Sequence, residues 1–376
     1  MTRVASVPHF SLDDSYMASA LALGRRNLGL TAPNPAVGAL VVKEGVVIGR
    51  GWTGVGGRPH AEVVALKQAG ALAQGATLYV TLEPCAHHGV TPPCVDSIIA
   101  AGISRVVSAL EDPNPQVAGQ GHQYLRQSGI ELSVGVGAAM ARLDHMGHIL
   151  RMTHHRPMVT LKLAQTADGY AAGAAYDPRL RITGPVADAF THVQRAMHDA
   201  IMIGAGTARE DDPLMTVRLP GVDNRRPLRI VLDPKLSLSP RSRLVSTAHD
   251  KPLLILVRED IADDVVLQFK KSSGADVARI TSKDGLLNLH SVLRLLSERG
   301  VTRVFSEGGP TVAESLLSAG LVDEIILHQG VKPLGRLGKL ALTPTAKMTL
   351  RDENKYRLME KRYLGADQMM RYVRVG

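Results

Sequence analysis

The chain has 376 residues, of which 45% are hydrophobic and 21% charged, so it is long enough for two buried cores and too apolar for a disordered protein. Its net charge of +9 favours anionic partners, but only 3% of the residues are aromatic and Lys and Arg never run beyond pairs, which favours small phosphorylated ligands over nucleic acid. The apolar runs are too short to cross a bilayer and the N-terminal sequence lacks the pattern of a secretory signal, so we expect a cytoplasmic protein that binds no membrane.

The first part of the chain alternates helices with strands. An opening helix at about 13–27 precedes the strand pair "PAVGALVVKEGVVIGRGW", whose "KEG" turn predicts a hairpin. Four further elements follow in order: a helix from "HAEVVALKQAG", a strand "ATLYVTL", a helix from "PPCVDSIIAAG" and a strand "RVVSAL". This alternation predicts helical layers around a largely parallel sheet.

The segment "RMTHHRP" at 151–157 interrupts this pattern and predicts a linker. We therefore expect one domain over 1–150 and a second over 151–376. The second series of predicted strands comprises "MVTLKLA", "DAIMIGA", "PLRIVLD", "PLLILV", "TRVFSE" and "EIILHQG". Helical segments such as "GPVADAFTHVQRAM" lie between these strands, so the second domain is also expected to be α/β.

The first domain contains both cysteines of the chain and a histidine in a pattern typical of a catalytic zinc site. His60, Cys85 and Cys94 supply three ligands for tetrahedral zinc and leave the fourth position open for water. Zinc lowers the pKa of that water, and Glu62, two residues after His60, can carry its proton to a departing amine. We interpret Glu62 as the catalytic acid and base.

The spacing follows the HxE…PCxxC pattern of the zinc nucleobase deaminases with one departure. Eight residues, "AHHGVTPP", separate Cys85 from Cys94 where two are usual. His87 and His88 lie in this insert and remain alternative ligands, although thiolates are the preferred donors here. The competing interpretation is a pair of buried structural thiols beside a surface histidine.

The insert and its surroundings resemble the bifunctional deaminase/reductase family of riboflavin biosynthesis. The matching segments are "TAPNPAVGALVV", "GGRPHAEVVAL", "GATLYVTLEPCAHHGVTPPC" and "DPNPQVAGQG". This resemblance implies a cytidine-deaminase-like α/β/α layer domain that hydrolyses the 2-amino group of a phosphoribosylated diaminopyrimidinone. It also implies that Asn34 binds substrate, whereas a plain turn between two prolines is the alternative. Ala39 and Ala86 depart from a cysteine and a serine that are common in the family.

The second domain has no GxGxxG, so a standard Rossmann fingerprint is absent. "GAGTARED" at 204–211 and "EGGP" at 307–310 both follow predicted strands, and the second leads directly into a helix. The start of a helix suits a phosphate because its amides are exposed and its dipole attracts anions. Glycine after a strand is also typical of a simple turn.

The resemblance to the same family continues through "LKLAQTADG", "RITG", "DAIMIGAGTAREDDPLMTVR", "RIVLD" and "EGGPTVAESLL". It implies a dihydrofolate-reductase-like α/β domain that uses NADPH to reduce the ring-opened ribose of the deaminated product to a ribityl chain. The cofactor contacts that it implies are Thr207, Asp211, Gly308, Gly309 and Arg181. The substrate contacts that it implies are Arg179, Arg195, Met215, Arg218 and Glu307.

Four residues of this set are arginines, which are suited to bind anionic groups of the substrate or the cofactor. Arg195 and Arg218 are implied to hold the substrate phosphate, for which a guanidinium offers forked donors. Arg181 stands where many relatives have a tryptophan, and Arg179 stands where a serine is common. These two replacements leave open whether the residues take over the roles of those they replace.

Two other functions compete with this hypothesis. The first is a zinc deaminase that acts on a nucleic-acid base and carries an accessory binding domain. The second is a degenerate scaffold whose second domain binds a nucleotide without turnover. We expect no nucleic-acid partner, because the aromatic content is low, and we expect a homo-oligomer whose size the sequence does not fix.

Overall fold

The computed structural model describes residues 11–87, 92–174, 177–178 and 180–375. The chain divides into two compact units, Met1–His154 and His155–Gly376. Among the described residues, no helix is both long enough and apolar enough to span a membrane.

The first unit consists of five helices and five strands in its described part. The helices are α1 Leu12–Arg25, α2 Ala61–Ala69, α3 Cys94–Ala100, α4 Gln120–Gln127 and α5 Ala138–His154. The strands are β1 Gly38–Lys43, β2 Val46–Trp52, β3 Thr77–Val80, β4 Arg105–Ser108 and β5 Glu131–Val134. The strands form a sheet in the order β2-β1-β3-β4-β5, in which β3, β4 and β5 are parallel and β1 is antiparallel to both neighbours.

Helices cover both faces of this sheet, and glycines in the strands set how closely two of them approach. A Cβ atom at Gly51 of β2 would lie 2.0 Å from the carbonyl oxygen of Ala61, and one at Gly38 of β1 would lie 1.9 Å from that of Ala20. Only glycine therefore allows α2 and α1 to pack at these distances. The close seating of α2 fixes the position of the residues at its start.

The second unit contains a larger sheet with helices between its strands. Its helices are α6 Pro185–Ala196, α7 Ala205–Asp211, α8 Arg243–Ser246, α9 Asp263–Ser273, α10 Leu289–Glu298, α11 Pro310–Ser318 and α12 Pro344–Arg351. Its strands are β6 Met158–Gln165, β7 Tyr170–Ala172, β8 Ala200–Gly204, β9 Leu228–Leu232, β10 Leu253–Arg258, β11 Asp276–Ile280, β12 Ser282–Lys283, β13 Leu286–Leu287, β14 Arg303–Ser306, β15 Glu324–Gln329, β16 Lys339–Leu340, β17 Tyr356–Leu364 and β18 Asp367–Arg374.

The order of strands in the large sheet is β11-β10-β9-β8-β14-β6-β15-β18-β17. All pairs from β11 to β15 are parallel, and the hairpin of β17 and β18 adds to β15 in antiparallel orientation. From β8 the chain passes through α7 to β9 on one side, whereas from β14 it passes through α11 to β15 on the other. The neighbouring strands β8 and β14 therefore form a topological switch point, and ligands of open α/β sheets bind outside the carboxyl ends of the strands at such a point.

Two regions differ from the sequence-based expectation. Helix α5 continues to His154 and includes the first four residues of the segment predicted as a linker. The C-terminal residues, for which the sequence predicted no structure, form the hairpin of β17 and β18, with Gly365 at φ +68 in its turn. Beside β15, this hairpin completes one end of the sheet.

Candidate active sites

The site in the first unit lies where α2 and α3 begin. His60 is the N-cap residue of α2, Glu62 lies in its first turn, and Cys94 is the first residue of α3. The backbone N–H of Cys94 donates a hydrogen bond of 3.3 Å to Sγ of Cys85. The amide of Val95 donates to the carbonyl of Cys85 at 3.3 Å, so the start of α3 holds the loop that carries Cys85.

The three predicted metal ligands come together. Nδ1 of His60 lies 3.2 Å from Sγ of Cys94 and 3.6 Å from Sγ of Cys85, and all three ligand atoms lie within 4.8 Å of one another. Ligands of a tetrahedral zinc ion with the usual Zn–S and Zn–N bond lengths are roughly 3.5 to 3.8 Å apart. One imidazole and two sulfurs at these separations fit a zinc ion.

The thiols and the carboxyl group at this site have shifted pKa values. The hydrogen bond between the thiol groups of Cys85 and Cys94 is the largest cause that lowers the pKa of Cys85 to about 4, and the same bond raises the pKa of Cys94. Burial raises the pKa of Glu62, whose exposed fraction is 4%. A thiolate is the metal-binding form of cysteine, and a buried carboxyl group with a raised pKa is suited to exchange protons near neutral pH.

Other candidate residues of the first unit lie at different places. His87 is exposed and does not belong to the close ligand group, and His88 lies outside the described residues. Asn34 packs against Gly57, where a Cβ atom would lie 1.9 Å from Nδ2 of Asn34. Gly57 has φ +88 and directly precedes the segment that leads to His60, so Asn34 packs against the chain just before the first metal ligand.

Sequence reasoning missed Glu83, a buried carboxylate two residues before Cys85. It accepts hydrogen bonds from the backbone amides of Asp112 at 3.0 Å, Gly119 at 2.9 Å and His122 at 3.1 Å. These bonds attach the segment "DPNPQVAGQG" to the strand end that precedes Cys85. Its presence in "TLEPC" was the available signal, but nothing in that string indicates its partners.

The site in the second unit lies at the switch point between β8 and β14. Thr207 is in α7, and its Oγ1 accepts a hydrogen bond of 3.1 Å from the backbone N–H of Gly309, the N-cap residue of α11. Glu307, directly after β14, donates its own N–H to the carbonyl of Met202 at 3.0 Å. The predicted cofactor residues Thr207, Gly308 and Gly309 therefore lie together at this crevice, and Asp211 is at the end of α7.

Arg195 and Glu307 form a bidentate ion pair. Nε of Arg195 donates to Oε1 of Glu307 at 2.5 Å and Nη2 donates to Oε2 at 2.8 Å, and each side chain is 13% exposed. Nη1 of Arg195 donates to the carbonyl of Thr216 at 3.0 Å. Burial raises the pKa of Glu307, but the charge and hydrogen bonds of Arg195 outweigh it, so the pKa lies below its usual range.

The remaining candidates of the second unit differ in accessibility. Arg218 is exposed, and its Nη1 donates to Oγ1 of Thr216 at 2.9 Å. Met215 is 2% exposed, has φ +50 and packs in the hydrophobic core, so its side chain faces away from solvent. Arg181 is 77% exposed and lies 3.7 Å from Asp188, while Arg179 lies outside the described residues.

Sequence reasoning did not single out Lys162 or His328. Lys162 is on β6, which pairs with β14 up to Leu161 and Ser306, and its charge helps to lower the pKa of the nearby Glu307. His328 on β15 is 1% exposed, and burial lowers its pKa to about 4. Lys162 occurs in the quoted motif "LKLAQTADG", so that motif was the available signal; His328 had none.

Models of two protein families match the chain. The cytidine and deoxycytidylate deaminase zinc-binding region matches residues 11–110, and the RibD C-terminal domain matches residues 157–366. The chain is 40% identical over 324 residues to the riboflavin biosynthesis protein RibD of Aquifex aeolicus, covering 86% of this chain and 88% of that protein. It is 37% identical over 372 residues to RibD of Escherichia coli, covering 96% and 99% of the two chains.

Solved structures give the same result. RibD of Acinetobacter baumannii is 32% identical with a TM-score of 0.85, covering 97% of this chain and 99% of that chain. A diaminohydroxyphosphoribosylaminopyrimidine deaminase/5-amino-6-(5-phosphoribosylamino)uracil reductase of Thermotoga maritima is 32% identical with a TM-score of 0.82, covering 96% and 99%. The expected cytidine-deaminase-like and dihydrofolate-reductase-like folds are confirmed. Because both halves match and the similarity extends over nearly the whole length of these relatives, the chain belongs to the RibD family of bifunctional riboflavin-biosynthesis enzymes, with a zinc-dependent deaminase domain and an NADPH-dependent reductase domain.

Proposed function

We propose that the protein catalyses two consecutive reactions on one phosphorylated pyrimidine. The domain over 1–150 hydrolyses the 2-amino group of 2,5-diamino-6-ribosylamino-4(3H)-pyrimidinone 5′-phosphate. The domain over 151–376 then reduces the ribosyl side chain of the product to ribityl with NADPH. The grouping of His60, Cys85 and Cys94 within 4.8 Å, beside the buried Glu62, carries this proposal, and the activities named for the Thermotoga maritima relative support it.

In the first reaction, His60, Cys85 and Cys94 would hold zinc. Bound zinc supplies a Lewis acid that lowers the pKa of water. Glu62 takes the proton from that water and returns it to the amine that leaves, for which its raised pKa is suited. The Asn34 side chain, packed on Gly57, is proposed to orient the pyrimidine.

In the second reaction, Thr207, Asp211, Gly308 and Gly309 are proposed to hold NADPH, which supplies the hydride. Their placement at the switch point between β8 and β14 supports this assignment. Arg181 is retained as a cofactor contact of the same proposal. Its high exposure leaves its guanidinium accessible to an anionic group of the cofactor.

For the substrate of the reductase, we propose that Arg195 and Arg218 both hold the phosphate, with different numbers of N–H groups. Arg218 is exposed, so its guanidinium is accessible to the substrate phosphate. Arg195 donates from two nitrogens to Glu307 and therefore has fewer N–H groups left for the phosphate. Glu307 is proposed to contact the sugar chain as a carboxylate, because Arg195 holds its pKa low. Arg179 and the backbone at Met215 complete the proposed substrate contacts.

The deaminase proposal is tested with Glu62→Gln. Glutamine can still accept a hydrogen bond from water but cannot carry its proton, so deamination should fall by roughly 10² to 10⁴-fold. Zinc content, measured by atomic absorption, and reduction of deaminated substrate should both stay at the level of the unmodified protein. Deamination that remains within about tenfold of the unmodified protein would contradict the role of Glu62.

We also propose a cytoplasmic homo-oligomer. The zinc ligands Cys85 and Cys94 must remain reduced, and both are free thiols, which supports a reducing compartment. Strand β17 lies at the edge of its sheet and exposes Leu358, Met359 and Tyr363, which supports association. Light scattering on the purified protein tests the oligomeric state, and a monomer at micromolar concentration would contradict it.

A further inference from the structure

The loop after β9 carries the side chains that could contact the adenosine ribose of a dinucleotide bound to the second unit. In dinucleotide-binding α/β sheets, an acidic residue near the end of the neighbouring strand binds the ribose 2′-hydroxyl of NAD, whereas an arginine accommodates the 2′-phosphate of NADP. Here Asp233 directly follows β9, which pairs with the crevice strand β8. Whether its carboxylate is available decides between the two cofactors.

The carboxylate of Asp233 is not accessible to a ligand. Asp233 is 1% exposed, and it accepts hydrogen bonds from the backbone N–H of Ser237 at 2.6 Å, the Ser237 hydroxyl at 2.9 Å and the N–H of Leu238 at 2.9 Å. Three of its roughly four acceptor positions are therefore taken by its own loop. An adenosine diol at this edge of the sheet finds no carboxylate acceptor from Asp233.

A guanidinium is present at the same place. Arg209 lies on α7, two residues after Thr207, and its Nη1 donates to Oγ of Ser237 at 2.7 Å. The side chain of Arg209 therefore extends from α7, at the crevice, to the loop after β9. Arg209 is exposed, and the contact with Ser237 leaves most of its N–H groups accessible.

Two basic side chains lie at this edge of the sheet. No ion pair joins Arg209 to a carboxylate among the described residues, and the exposed Lys235 lies in the loop between Asp233 and Ser237. A phosphate dianion would meet a forked donor from Arg209, whose position the acceptor oxygen of Ser237 fixes. On the crevice side, Thr207 of the same helix α7 accepts a hydrogen bond from Gly309, another proposed cofactor residue.

We propose that Arg209, seated on Ser237, recognises the 2′-phosphate of NADPH and makes the reductase select NADPH over NADH. This inference rests on the proposed placement of NADPH at the switch point between β8 and β14. It adds the residue that distinguishes the two nicotinamide cofactors, and it assigns Asp233 the task of shaping the loop that presents Ser237.

Isothermal titration calorimetry of the full-length protein with NADPH and NADH tests the inference without any reaction. Arg209→Gln should weaken NADPH binding by roughly 10- to 100-fold, the range for hydrogen bonds to a charged group, and change NADH binding by less than about twofold. Arg209→Lys keeps the charge and should recover part of the preference. Adenosine 2′,5′-bisphosphate and adenosine 5′-monophosphate should show the same difference without the nicotinamide.

The matched control is Arg294→Gln, which removes the same charge from an exposed position on α10 that pairs with Glu298. It should leave both affinities unchanged. An Arg209→Gln variant that keeps the full preference for NADPH overturns the inference while the proposed function stands. Failure of the unmodified protein to bind NADPH overturns the proposed cofactor site and the inference together.

Discussion

Replacing Arg195 by alanine should destabilise the second unit strongly, because Glu307 would keep a buried charge without its partner. The pair is made by two hydrogen bonds of 2.5 and 2.8 Å between side chains that are each 13% exposed. Removing one partner of a buried ion pair costs roughly 3 to 5 kcal/mol, and partial exposure favours the lower end, about 3 kcal/mol. Arg218→Ala is the matched control, since it removes an exposed arginine from the same site and should change stability by less than about 0.5 kcal/mol.

Urea unfolding measures this difference. The single tryptophan of the chain, Trp52, lies in the first unit, so its fluorescence reports that unit while circular dichroism reports both. Arg195→Ala should move the dichroism transition of the second unit and leave the Trp52 transition in place. Arg195→Met combined with Glu307→Gln removes both charges and should regain most of the loss. A loss below about 1 kcal/mol in Arg195→Ala would refute the ion-pair argument.

Three further predictions concern metal, phosphate and pH. Cys94→Ser should lose most of its zinc in metal analysis, and full occupancy would shift the third ligand to His87 or His88. Arg218→Ala should raise the reductase KM for phosphorylated substrate by roughly 10- to 100-fold without changing that for dephosphorylated substrate, and equal KM changes would contradict it. Burial lowers the pKa of His328 to about 4 from 6.5, so folding stability should fall as pH drops between these values. His328→Phe should flatten that fall in unfolding titrations, and an unchanged slope would exclude His328 as its source.

The metal site was predictable from the sequence because its ligands lie in short, characteristic strings. "HAE" and "EPC" each combine a ligand or base with the start of a local turn or helix, and the structure places His60 and Cys94 at the starts of α2 and α3. The eight intervening residues before Cys94 did not prevent its approach to His60, because its helix start bonds to Cys85. Short local sequence patterns were therefore sufficient to predict the metal ligands.

The interior of the reductase site was less predictable because it depends on pairs that are distant in sequence. Arg195 and Glu307 are 112 positions apart, and no local pattern indicates that they bind each other. Met215 occurs in a string that suggests a substrate loop, yet its side chain is buried in the core. The hairpin of β17 and β18 has few buried positions on β17, so its sequence lacks a clear apolar alternation.

Mass spectrometry of the diaminopyrimidinone phosphate, incubated with the purified protein, tests the central claim most directly. Without NADPH, the account predicts a single mass change that corresponds to replacement of an amino group by an oxo group. With NADPH, it predicts a second change that corresponds to the addition of two hydrogen atoms, and Glu62→Gln should stop before the first change. Unaltered substrate in both incubations, or reduction without deamination, would contradict the proposed sequence of reactions.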